Sequence, residues 1–110
     1  MNELEVIFLE EAREFLLGLP TKARDKVVNN IKIIKKGHRN VDLFKKLEGT
    51  EIWEFRTEYE GKAYRLLSFW DKEKRSLVVA THGFIKKKQK TPKKEIERAE
   101  SLRQQYYSSK

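Results

Sequence analysis

The chain has 110 residues, a formal charge of +8 from 25 Lys and Arg against 17 Asp and Glu, and no cysteine. That length fits one compact domain, 1–110, rather than two with separate cores. The lack of cysteine excludes disulfide and thiolate chemistry, and the excess of cations attracts polyanions such as nucleic acid or an acidic protein. The acidic opening Met1-Asn2-Glu3-Leu4-Glu5 is unlike a signal peptide, and no apolar run approaches the ~20 residues of a membrane span, so we expect a cytoplasmic protein without a membrane partner.

Val6-Ile7-Phe8-Leu9 reads as a first strand. From Glu10 the period changes: Ala12, Phe15, Leu16 and Leu19 repeat at helical spacing until Gly18-Leu19-Pro20 interrupts them. A second helix carries Ala23, Val27, Ile31 and Ile34 on one stripe and ends at Lys35-Lys36-Gly37, cations and then glycine. The two form a helical hairpin.

Residues 37–49 form a charged connection, pinned by Leu43, Phe44 and Leu47. Three strands follow, Glu51 to Tyr59, Lys62 to Trp70 and Ser76 to His82, joined by the short polar turns Glu60-Gly61 and Asp71 to Lys74. They make a small antiparallel sheet packed on the helical hairpin. Alternation directs Trp53, Phe55 and Thr57 toward the helices and leaves Glu54 and Arg56 on an open face. The second strand is apolar on both faces and therefore central, which makes Arg65 conspicuous within it. After the basic run Lys86 to Lys90, Thr91-Pro92 opens a last helix, threonine as N-cap and proline as first helical residue. Its stripe is Ile96, Ala99, Leu102 and Tyr106, with Tyr107 to Lys110 frayed. The fold class is α+β.

No cluster of His, Asp and Glu has metal-ligand spacing, and there is no glycine-rich phosphate loop or nucleophile motif, so neither metal nor cofactor is expected. A chemistry that needs only cations and a proton carrier is RNA cleavage, because the 2′-hydroxyl beside each phosphate is a built-in nucleophile. Arginine suits the phosphate through its planar, permanently charged fork. Crowded lysines lower one another's pKa and become proton carriers. Arg56 and Arg65 on adjacent strands, with Lys86 and Lys87 entering from the next loop, supply these parts.

Plainer roles stand beside each. Arg56 suits an edge-strand charge, and Arg65 suits half of an ion pair with Glu54 or Glu58. The lysine run suits a solvated, phosphate-attracting patch, and His82 a structural residue at a strand end. Trp53 and Trp70 suit the core better than a base-stacking platform.

The order of these elements, with Leu47-Glu48-Gly49, Ile52-Trp53-Glu54-Phe55-Arg56, Ala63-Tyr64-Arg65-Leu66-Leu67, the stretch His82 to Pro92, and Glu95 to Arg103, resembles the RelE/ParE superfamily of type II toxins. The likeness is closer to its HigB-like, phage-type branch. It implies a toxin that cuts messenger RNA, often in the 30S ribosomal A site. It also implies a neutralising HigA-like antitoxin with a helix-turn-helix domain, through which the pair binds operator DNA. By motif position Arg65 matches the family's phosphate-binding arginine, Arg56 its basic position on the preceding strand, and Lys86 and Lys87 its catalytic cation after the last strand. The carboxyl-terminal tyrosine of several relatives has no counterpart near the site, which leaves His82 or Glu54 as general acid or base. Lys45, Lys46, Lys88 and Lys90 complete the expected RNA-binding set.

A metal-independent endoribonuclease toxin is thus the leading function. A non-catalytic, ParE-like gyrase inhibitor shares the superfamily's fold, and a plain nucleic-acid-binding module would bind RNA without cutting it.

Overall fold

The computed structural model describes residues 3–87 and 90–109. Its elements are β1 (Glu5–Phe8), α1 (Glu10–Leu17), α2 (Thr21–Lys35), β2 (Phe44–Lys46), β3 (Trp53–Tyr59), β4 (Lys62–Trp70), β5 (Leu77–Lys86) and α3 (Lys93–Ser108). The strands form one sheet in the order β1-β5-β4-β3-β2. The α+β architecture and the central place of β4 are as the sequence implies.

The sheet is larger than three antiparallel strands. β1 joins its edge in parallel with β5, from Glu5 opposite Leu77 to Phe8 opposite Ala80. At the other edge β2, within what reads as a connection, pairs antiparallel with β3. The last strand also runs past His82 to Lys86, so His82 lies inside a strand and Lys86 ends one rather than entering from a loop.

One face of the sheet carries the helical hairpin. Ala23, Val27, Ile31 and Ile34 of α2 are all buried, as their spacing requires, with Phe55, Tyr64, Leu66, Val78 and Ala80 against the hairpin. Gly37, at φ 92°, closes α2 and donates its N–H to Ile34 O at 2.9 Å. The β3–β4 turn has positive φ at both Glu60 and Gly61, the mirror-image turn that matches strand twist.

The opposite face is not open. Helix α3 lies across β4 and β5, packing Ile96, Ala99 and Tyr106 on Leu67, Phe69 and Val79. Burial of each such aliphatic or phenyl side chain contributes roughly 1.5–3 kcal/mol. Tyr107 is part of this packing rather than a frayed end: its hydroxyl donates to Trp70 O at 3.2 Å and accepts Lys72 N–H at 3.0 Å. Tyr106 Oη donates to the buried Asp71, whose other oxygen accepts the N–H groups of Glu73 and Lys74 and shapes the β4–β5 turn.

A bulge decides what the second half of β5 presents. Leu67 faces His82 while Ser68 faces Ala80, leaving Thr81 as the extra residue, its hydroxyl on Leu67 O at 3.1 Å. Below the bulge Ala80 points to the helical hairpin; above it His82, Phe84 and Lys86 share the face of Arg65 and Leu67. Among the described residues no helix is long and apolar enough to cross a membrane.

Candidate functional site

The α3 face of the sheet collects most of the ionisable residues singled out in the sequence. Arg56 stands directly opposite Arg65, Glu54 opposite Leu67 on one side and Lys45 on the other, and Lys86 opposite Ala63. Like charges across a strand pair repel. Glu54 offsets that repulsion: its Oε1 is 3.5 Å from Nε of Arg56 and 3.5 Å from Nε of Arg65.

Arg65 is 4% exposed and Glu54 2%. Nη1 of Arg65 also donates to Glu58 Oε2 at 2.9 Å and to its neighbour's carbonyl, Tyr64 O, at 3.1 Å. Both carboxylates considered as ion-pair partners for Arg65 are therefore engaged. The two Nε–H groups are nonetheless buried without a hydrogen-bond partner, since the Glu54 oxygen lies beyond good bonding distance from each. The cluster holds two incompletely satisfied cationic donors aimed at one anionic oxygen.

Thr91 completes the clamp. It is not the N-cap of α3, which begins at Lys93 after Pro92 in the cap position without a side-chain cap bond. The Thr91 hydroxyl donates instead to Glu54 Oε2. A bond to a buried carboxylate outweighs one to a helix-end amide beside water.

Lys86 is only partly exposed on the same face. Burial pulls its amine below the ordinary lysine value, and repulsion from Arg65 and Arg56 acts in the same direction against the attraction of Glu54 and Glu58. Such an amine gives up its proton more readily than a surface lysine.

His82 is used otherwise. Its Nε2 is 3.0 Å from Glu95 Oε1, holding the first turn of α3 to β5, and its Nδ1 is 3.2 Å from Thr81 Oγ1 of its own strand, so both ring nitrogens are engaged. It shares the face of the arginines, but its partners belong to a tether.

The basic residues divide. Lys45 is exposed beside Glu54; Lys46 has the opposite parity, opposite Trp53, and pairs with Glu51 at 3.6 Å. Lys87 and Lys90 are exposed on the segment between β5 and α3, and Lys88 lies outside the described residues. Trp53 and Trp70 are on the helical-hairpin face as expected, but half-buried rather than enclosed. Sequence reasoning missed Thr91 as a partner of Glu54 and Glu95 as a partner of His82; the polar spacing within 91–95 is compatible with several cap patterns and singles out neither. Among the described residues no group of three or more His, Cys, Asp or Glu is placed to hold a metal ion.

Solved structures share this fold. The toxin–antitoxin complex RelBE2 of Mycobacterium tuberculosis contains a chain that superposes with a TM-score of 0.58 at 23% identity, over 76% of this chain and 99% of that one. A free E. coli toxin RelE, with two arginines replaced by alanine, superposes with a TM-score of 0.56 at 16% identity, over 74% of this chain and 81% of that one. No curated protein matches the sequence. The model of the family described as phage-derived protein Gp49-like matches residues 14–104, from within α1 to within α3. Since that span includes four of the five strands, the arginine pair and most of the helix laid over them, the chain belongs to the Gp49-like family of phage-derived proteins.

Proposed function

We propose that the protein is the toxin of a type II toxin–antitoxin system, of the HigB-like branch, and acts as a metal-independent endoribonuclease on messenger RNA. The observation that carries this reading is the meeting of Arg56, Arg65 and a partly buried Lys86 on one sheet face. Three cations around one point suit a phosphodiester whose charge grows as the 2′-hydroxyl attacks phosphorus. The P–O5′ bond then breaks, leaving a 2′,3′-cyclic phosphate and a 5′-hydroxyl.

In this reading Arg56 and Arg65 bind the phosphate, and Lys86 carries the proton. Glu54 acts as the anion that keeps the arginines together until phosphate takes its place. His82, with both nitrogens engaged, is the weaker candidate for proton transfer. Lys45, Lys87, Lys88 and Lys90 follow the RNA backbone, and cleavage occurs on the ribosome, where translation is inhibited. The antitoxin assignment is supported by a fold shared with a chain of a toxin–antitoxin complex. The expected partner is a helix-turn-helix, HigA-like protein that carries the pair to operator DNA. A single 1–110 domain in the cytoplasm accords with all of this.

One observation favours a second reading. Arg65 is almost wholly enclosed and already paired with two carboxylates, as it would be in a module that binds without cutting. Induced expression in bacteria separates the two. Growth arrest with new 5′ ends inside translated messages, both lost in Arg56→Gln and Lys86→Met, is the expected result. Arrest with intact messages points to a target such as gyrase, and no arrest by folded protein to a binding module.

A further inference from the structure

A cleft of about 480 Å³ opens away from the Glu54 cluster, between the end of α2, residues 37–41 and the adjoining ends of β2, β3 and β4. Its size is that of an ordinary ligand cleft, roughly 300–1,000 Å³. It lies on the helical-hairpin face of the sheet, opposite the arginine pair. The floor is aromatic: Phe44 stacks on Trp53 with centroids 4.9 Å apart, and Trp53 meets Trp70 edge-on at 6.1 Å. Val41 stands at the side, apolar and 69% exposed. Exposed His38, Arg39 and Arg75 border it, and no Asp or Glu is among the lining residues.

The end of a helix ordinarily favours cations through its free carbonyls. Two of those carbonyls are taken here: Lys35 O accepts Leu4 N–H at 2.7 Å and Ile34 O accepts Gly37 N–H at 2.9 Å. The charged side chains at the rim, Arg39 and Arg75, are both cations, so the rim is positive.

We infer that this cleft docks an acidic segment of a partner protein. The segment places apolar side chains on Phe44, Trp53 and Trp70 while its carboxylates meet Arg39 and Arg75. Charge selects this occupant. A second copy of the chain would bring the same +8 charge to a basic rim. Nucleic acid fits less well, because indoles crossed at 81° offer no parallel slot for a base and the denser cations lie on the other face. A partner held here leaves Arg65 and Lys86 uncovered, while Arg56 reaches the back of the cleft wall through Nη1, which donates to Val41 O at 3.4 Å. The inference therefore stands apart from the proposed ribonuclease activity.

Both tryptophans of the chain line the cleft, so intrinsic fluorescence reports its occupancy directly. The probe is a displayed library of random peptides about fifteen residues long, selected against the folded full-length protein. Selected peptides are expected to combine acidic and large apolar residues and to shift tryptophan emission as synthetic peptides. Their affinity should fall about tenfold or more in the double variant Arg39→Glu/Arg75→Glu and in Val41→Asp, yet hold in Lys86→Met on the opposite face. The exposed positions of these residues make loss of folding avoidable, and circular dichroism checks it. Peptides lacking acidic residues, peptides indifferent to the cleft substitutions, or a selection without winners would overturn the inference. A poly(U) RNA that shifts the emission only while Arg39 and Arg75 are present would reassign the cleft to nucleic acid.

Discussion

Arg56 and Arg65 face each other on neighbouring strands, held at 3.5 Å from a single oxygen of Glu54. Arg65 is buried and Arg56 only partly exposed, and two such cations on adjoining strands are tolerable only with an anion between them. Removing one member of a buried ion pair typically costs about 3–5 kcal/mol, because the other charge stays buried and uncompensated. Glu54→Gln keeps the shape and an acceptor for Thr91 but removes the charge. We expect it to lose about 3 kcal/mol, a fall of more than about 10 °C in Tm for a chain of this size. A thermal melt with less than a few degrees of change would mean that water or another group already neutralises the arginines.

Thr91→Val tests the other oxygen of the same carboxylate. Its hydroxyl ties the segment before α3 to β3, and a hydrogen bond to a charged group is worth about 1.5–3 kcal/mol. The variant should melt lower than wild type and exchange the amide protons at the start of α3 faster. Thr91→Ser should restore both, since it keeps the donor; failure of the serine variant to do so would place the effect in packing instead.

Lys86 gives a pH prediction with a definite sign. Burial and the neighbouring arginines hold its amine below its ordinary value of 10.5, so the unfolded chain keeps that proton more tightly than the folded one. Between the folded value and 10.5 the unfolded state binds more protons, and this residue's contribution to stability improves as pH rises through that window. Lys86→Met should therefore be more stable than wild type near about pH 7, with the advantage shrinking as the pH approaches 10.5. Urea unfolding across that range measures it. A gap that stays constant with pH would show that the methionine acts through packing alone.

How much of this was legible in the chain depends on the range of the interaction. The buried stripe of α2, the Glu60-Gly61 turn and the meeting of Arg56 with Arg65 follow from local period and one short hairpin, and all are present. β2 is three residues long, too short to show alternation, and exists because β3 offers it an edge. The parallel pairing of β1 with β5 joins residues as distant as Glu5 and Leu77, with nothing nearby to signal it. The bulge at Thr81 is the most consequential omission. It reverses which side chains of β5 face the arginines, and the run from Leu77 to Lys86 shows no glycine or proline at that point to mark it. Thr91 was readable as polar and near a helix start, but its partner lies 37 positions away.

The tether formed by His82 and Glu95 separates structure from chemistry. His82→Phe removes both of its hydrogen bonds and should cost about 1–2 kcal/mol while quickening hydrogen exchange in the first turns of α3. If Lys86 carries the proton, RNA cleavage by the folded variant persists. Abolished cleavage with unchanged exchange would instead make the imidazole the proton carrier.

Gly83 tests the packing beneath the same strand. It lies opposite Leu66 on the helical-hairpin side, and a Cβ there would overlap the ring of Phe15 from α1. Phe15 thus rests on the glycine's bare backbone, which fixes how closely α1 approaches β5. Gly83→Val should destabilise by about 1–3 kcal/mol through overpacking, and Phe15→Ala should lose stability for the opposite reason, a vacated space. Combined, the two changes relieve each other, because the valine enters the volume the ring has left. The double variant should then be more stable than the sum of the single losses by about 1 kcal/mol or more, measurable as a coupling in denaturant unfolding. Strict additivity would mean that α1 moves as a whole to accept the larger residue, and that the contact does not set the helix's position.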